Sequence, residues 1–153
     1  MKPRAPILNR PVVLLVEDEP LVRTLQVDIL READFWVLEA QDADEAFETL
    51  KARQDVRAVL TDVDMPGSLD GFEFARLVAQ GWPHVGVLVI SGKTAPEPGD
   101  LPPGAAFAAK PVRPADLVRS IRELLGSAEP EAEGIRAQEA RAQEGAGRGG
   151  GSR

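Results

Sequence analysis

Five side chains suited to phosphate chemistry stand at the carboxyl ends of four apolar runs. Glu17 and Asp18 follow VVLLV, Asp62 follows AVLT, Ser91 follows VGVLVI, and Lys110 follows AAFAA. Ligands of open α/β sheets bind at the carboxyl edge, so these scattered groups share one site if the runs are parallel strands. Glu17, Asp18 and Asp62 would then crowd three negative charges together. Two unit charges ~5 Å apart repel by roughly 3 kcal/mol at an effective dielectric of ~20, which calls for a cation or a raised pKa. A hard divalent cation such as magnesium relieves that repulsion, Lys110 adds a flexible point charge suited to an anion, and Ser91 adds a hydroxyl. The set fits phosphoryl transfer, in which the cation and lysine neutralise the equatorial oxygens while a carboxylate attacks in line. Asp62, on the central third strand, is the natural nucleophile, and its product would be an aspartyl phosphate.

Taken singly, each group has an ordinary role. Carboxylates before Pro20 are favoured by the exposed donors at a helix start, Asp62 and Asp64 can shape the turn into MPG, Ser91 can be a turn hydroxyl, and Lys110 a solvated charge. The functional reading rests on their convergence, which the surrounding elements must supply.

Apolar runs of strand length alternate with segments of helical period, the pattern of a parallel sheet covered on both faces. Strands are expected at residues 12–16, 35–39, 58–62, 85–91 and 105–109. The first and fourth are nearly continuous in valine, leucine and isoleucine, as in central strands, and the second and fifth read as edges. Pro20 suits a first helical turn, followed by Leu21, Leu25 and Ile29 as one buried stripe. Asp42 with Glu45 and Asp70 with Glu73 resemble capping boxes. The first opens a helix with Ala43, Ala46, Phe47 and Leu50 on one face, the second a helix with Phe74, Leu77 and Val78. A last helix starts at Pro114 and carries Leu117, Ile121, Leu124 and Leu125. Between Ser91 and Ala105 the chain reads GKTAPEPGDLPPG, whose prolines remove backbone donors and oppose a helix. The helix between strands four and five is expected to be shortened or replaced by a loop.

The 153 residues, 43% of them apolar, suit one globular domain. The division is an extension at 1–10, a domain at 11–125 and a tail at 126–153. That tail, rich in Glu, Ala, Arg and Gly, is too poor in apolar residues to offset its ordering entropy and is expected to be disordered. The absence of cysteine and the single histidine, His84, exclude thiolate chemistry and the usual zinc sites. A net charge of −7 disfavours nucleic acid and anionic membrane. VVLLV is too short for a secretory or membrane-spanning segment, so a cytoplasmic protein is expected.

The series VVLLVEDEP, VLTDVDMPGSLDGFEFA, VLVISG and FAAKPV closely resembles the receiver domain of bacterial two-component response regulators, from about Val12 to Leu125. The resemblance implies a CheY-like, flavodoxin-like doubly wound five-stranded parallel sheet of order 2-1-3-4-5. It also implies Asp62 as phosphoacceptor, Asp18 as direct magnesium ligand, Glu17 as a ligand through water, and Asp64 as a ligand through its backbone carbonyl. Ser91 matches the hydroxyl residue that contacts the phosphoryl group, Gly92 the small residue beside it, Lys110 the lysine of the KP motif, Pro111 a proline after a cis peptide bond, and Phe107 the aromatic switch. By the family mechanism Asp62 takes a phosphoryl group from a phosphohistidine and water later removes it. The added charge draws Ser91 toward the phosphate and lets Phe107 turn inward.

Three features depart from the family pattern. Phe107 lacks the hydroxyl of the commoner tyrosine, Ser68 and Leu69 lengthen the loop after the acceptor by one residue, and the proline-rich segment removes part of the usual signalling face. Asp64 and Lys93 stand where they could pair across the site. His84, Trp36 and Trp82 read as loop or packing residues.

The expected function is a single-domain response regulator of a phosphorelay. It would receive phosphate from a histidine kinase or histidine phosphotransfer protein and signal by protein contacts, or drain phosphate as a sink. The 28 residues after Leu125 leave no space for an output domain. An unidentified downstream protein is implied, a homodimer is compatible, and no enzymatic turnover beyond its own phosphorylation and dephosphorylation is expected. One alternative is a pseudo-receiver that binds partners without phosphorylation. A second is an aspartate-nucleophile phosphatase of the haloacid dehalogenase type, which Asp62-Val63-Asp64 resembles but which has threonine or valine where this chain has Pro66. An FMN site is disfavoured because EDEP would face the phosphate with three carboxylates.

Overall fold

A computed structural model describes residues 9–67, 69–93 and 95–128 of the chain. Because consecutive side chains of a buried strand point to opposite faces, the central strands feed two cores. The strands are β1 (Val12–Val16), β2 (Trp36–Ala40), β3 (Val56–Asp62), β4 (Gly86–Ser91) and β5 (Ala106–Ala109). They pair in parallel in the order β2-β1-β3-β4-β5. Val12, Leu14 and Val16 face one core with helices α2 (Ala43–Ala52) and α3 (Gly71–Gly81). Val13 and Leu15 face the other with α1 (Pro20–Glu32) and α4 (Pro114–Ala128). Register sets the carboxyl ends nearly level: Val16 lies opposite Ala40 and Thr61, Asp62 opposite Ile90, and Ser91 opposite Ala109.

Of the stripe expected to bury α1, Ile29 packs against the second core while Leu21 and Leu25 face solvent. Leu21 is 77% and Leu25 63% exposed, while Val27 and Leu30 make the contact with the sheet. At 3.6 residues per turn Val27 and Leu30 lie across the helix from Leu21. Both faces of α1 carry apolar residues, so periodicity alone does not choose between them. In α3, Leu77 is likewise 40% exposed, and Phe72, Phe74, Ala75 and Val78 are buried.

The Asp70 box closes fully, with Glu73 N donating to Asp70 Oδ1 and Asp70 N to Glu73 Oε1. The Asp42 box is only half formed: Asp42 Oδ1 accepts from Glu45 N, but Glu45 Oε1 accepts from Gln41 N. Leu117, Ile121, Leu124 and Leu125 dock α4 as its spacing predicts.

Between Ser91 and Ala106 no helix forms among the described residues. Leu101 and Ala105 pack against the first core, and Arg76 of α3 donates from Nη1 to the Asp100 carbonyl at 2.8 Å. Gly99 and Gly104 supply the positive φ angles of this proline-rich loop. The tail beyond 128 and the first eight residues lie outside the described residues, and α4 itself runs past 125 to Ala128. No described helix is long and apolar enough to cross a membrane.

Candidate functional site

Asp62 ends β3, between the ends of β1 and β4, and is 8% exposed. The backbone of the next residue is held on both sides: Val63 N donates to Ile90 O at 3.0 Å, and Gly71 N donates to Val63 O at 2.8 Å. The latter contact needs glycine. A Cβ built on Gly71 would lie 2.3 Å from Asp62 O and 2.7 Å from Val63 Cα, where only backbone could give way. One oxygen of Asp62, Oδ2, accepts from Lys110 Nζ at 2.7 Å, and the other, Oδ1, accepts from Asp64 N at 3.3 Å.

Lys110 follows β5, and its backbone N donates to Ser91 O at 2.9 Å, which ties the last two strand ends together. Its bond to Pro111 is cis. Ser91 is 2% exposed, and its hydroxyl accepts from Lys93 N at 3.2 Å. Phe107 is half-buried, its ring 6.4 Å from that of Phe72.

Glu17 is buried at the end of β1 although it is acidic. Its N donates to Ala40 O, and its Oε2 accepts from Glu19 N at 3.0 Å. Burial pushes its pKa above the ordinary carboxylate range. The neighbouring charges of Asp62 and Asp18 push the same way, against the Glu19 hydrogen bond and Lys110. Asp18 and Asp64 are exposed. Among the described residues neither Asp18 nor Lys93 forms an ion pair, so the Asp64–Lys93 pair is not made.

The structure thus brings Asp62, Lys110, Ser91 and Glu17 together, sets Asp18 and Asp64 beside them, and leaves Phe107 against Phe72. Gly71 and Arg23, whose Nη1 donates to Glu17 O from α1, bear on the site without ending an apolar run. A glycine directly after a capping aspartate, where helix geometry asks for none, was the available signal for the first. The broad groove between α1 and α4, lined by Ile29, Ala33, Ala115 and Val118, lies apart from these groups.

Residues 13–122 match the family model of the response regulator receiver domain. The chain belongs to the response regulator receiver family. The receiver protein CpdR of Brucella abortus is 32% identical over 117 residues, covering 74% of this chain and 95% of that protein. The response regulator ARR21 of Arabidopsis thaliana is 30% identical over 117 residues, covering 75% of this chain, which spans only 19% of that longer relative. A response regulator receiver protein from Sinorhizobium medicae superposes with a TM-score of 0.74 at 28% identity, covering 80% of this chain and 99% of that one.

Receiver domains of two-component systems generally bind magnesium, and the donors here suit it. They are all oxygens, and Glu17 carries a buried acidic charge that a cation would relieve. No three acidic side chains converge as a finished cage among the described residues. A cation there would complete its shell with main-chain carbonyl oxygen and water, as magnesium commonly does.

Proposed function

We propose that this receiver accepts a phosphoryl group on Asp62 and works as a single-domain response regulator in the cytoplasm. The observation that carries the reading is the Lys110 ammonium 2.7 Å from Asp62 Oδ2 at the carboxyl edge of the sheet, beside buried Glu17. A carboxylate oxygen of Asp62 attacks phosphorus, the P–N bond of a donor phosphohistidine breaks, and its electron pair returns to the imidazole. Asp18, Asp62 and the Asp64 carbonyl would hold magnesium, with Glu17 reaching it through water. When bound, the ion neutralises charge on the transferring group. Lys110 pairs with a phosphate oxygen in place of the carboxylate, and the Ser91 hydroxyl turns to donate to another. That turn opens space toward which Phe107 rotates.

The donor is a histidine kinase or a histidine phosphotransfer protein. It approaches over α1, whose exposed Leu21 and Leu25 begin one turn from Asp18. Output passes through a downstream protein or the domain serves as a phosphate sink. The match to 95% of the length of CpdR, a receiver protein, favours the single-domain role.

Intact-mass spectrometry after incubation with magnesium and phosphoramidate tests the reading, beside Asp62→Ala. The expected result is one added phosphoryl mass on the wild type alone. No adduct, or an adduct that persists in Asp62→Ala, would overturn it.

A further inference from the structure

Asp18 is a required ligand in the proposed function, yet its carboxylate has no partner among the described residues. Its direction is therefore inherited from its backbone. The peptide unit that joins it to Glu17 is planar, so whatever fixes the Glu17 carbonyl also fixes the Asp18 N–H and the exit of its Cα. Arg23 does this. From the second turn of α1 its Nη1 donates to Glu17 O at 2.7 Å, while Nε reaches Glu39 Oε1 on β2 at 3.2 Å. Its own backbone N bonds Glu19 O at 2.9 Å, so helix, loop and neighbouring strand are tied through one residue. The side chain is only 22% exposed. A guanidinium can hold two acceptors at once with little loss of freedom per bond, whereas an ammonium on a flexible stem cannot hold the same fork.

We propose that Arg23 is a positioning residue for cation binding: by clamping the Glu17 carbonyl to Glu39, it presents the Asp18 carboxylate toward Asp62. This rests on the reading that Asp18 and Asp62 hold magnesium. Residues that orient ligands without touching the metal typically change affinity 10- to 100-fold when removed, and Arg23 acts one bond further back through the main chain. The lower end of that range is therefore expected.

The test is calorimetric titration of the full chain with magnesium chloride, using wild type, Arg23→Gln, Arg23→Lys and Asp18→Asn. Phosphorylation by phosphoramidate is followed across magnesium concentrations in parallel. Arg23→Gln should weaken magnesium binding about 10-fold, shifting the half-saturating concentration for phosphorylation while the plateau rate stays near that of wild type. Arg23→Lys should fall between the two, and serves as the readout if Arg23→Gln does not fold. Wild-type magnesium affinity in a folded Arg23 variant would overturn the clamp while leaving the proposed function standing. Absence of magnesium binding by the wild type, or its persistence in Asp18→Asn, would overturn the proposed ligand set and the clamp with it.

Discussion

Lys110 and Asp62, 48 positions apart in the chain, meet at 2.7 Å because β5 and β3 flank β4 with their ends level. Asp62 is almost fully buried, and Lys110 is about one-third exposed, so the lysine holds a charge that water barely reaches. Lys110→Met keeps the apolar stem and removes the ammonium. Phosphorylation of Asp62 by phosphoramidate at saturating magnesium should slow by about 100-fold, the loss typical for one preorganised group facing developing charge. A rate within twofold of wild type would show that Lys110 is only a structural partner.

Glu17 gives the fold a pH dependence of defined sign. Its pKa is raised in the folded state, chiefly by burial and then by Asp62 and Asp18, so the folded protein holds that proton more tightly than the unfolded chain. The stabilising contribution is fully present below the ordinary value of 4.5 and is lost as pH rises through the higher folded value. Glu17→Gln, which can still accept from Glu19 N, should raise the neutral-pH Tm in magnesium-free buffer. It should also flatten the dependence of Tm on pH just above 4.5, as read by thermal melts across that range.

Gly71 buttresses the acceptor. In Gly71→Ala the new methyl would lie 2.3 Å from the Asp62 carbonyl, and the obstruction is backbone on both sides, so the loop after β3 must shift. Overpacking of this kind costs about 1–3 kcal/mol, and the upper end is expected from urea denaturation. Phosphorylation should fall with it, because the displaced atoms carry Asp62. An unchanged unfolding midpoint would mean that α3 slides without cost.

Leu21 and Leu25 lie in the first half of α1, the helix that follows Glu17 and Asp18, and are exposed to solvent. The pair Leu21→Asp with Leu25→Asp should leave folding stability within roughly 0.5 kcal/mol, as surface changes usually do. Phosphorylation by phosphoramidate should also be unchanged, since that donor needs no docking surface. Transfer from a cognate phosphohistidine protein should drop on the order of 10-fold, the loss of one good apolar anchor. Equal loss with both donors would point to damage at the site rather than to docking.

Much of the fold was legible along the chain. Strand ends were displaced by one or two residues, as with β2 at Trp36–Ala40 and β3 at Val56–Asp62, because hydrogen-bonded partners rather than local propensity set where pairing stops. The proline-rich loop in place of a helix was readable from prolines that lack backbone donors. Glu17, Asp18, Asp62, Ser91 and Lys110 stand out as candidates because they end apolar runs, and parallel strands bring such ends to one edge.

The alternation of apolar runs and helical periods was enough by itself to determine a parallel α/β sheet, and the chemistry at the run ends was enough to point to phosphoryl transfer. Tertiary structure decided which face of α1 is buried, since Leu21 with Leu25 and Val27 with Leu30 satisfy the same period and only docking on the sheet separates them. It also decided that Arg23 and Gly71 bear on the site. A guanidinium reaching back to the Glu17 carbonyl and a missing methyl against the Asp62 backbone are relations between distant atoms. Neither leaves a periodic trace in a one-dimensional pattern.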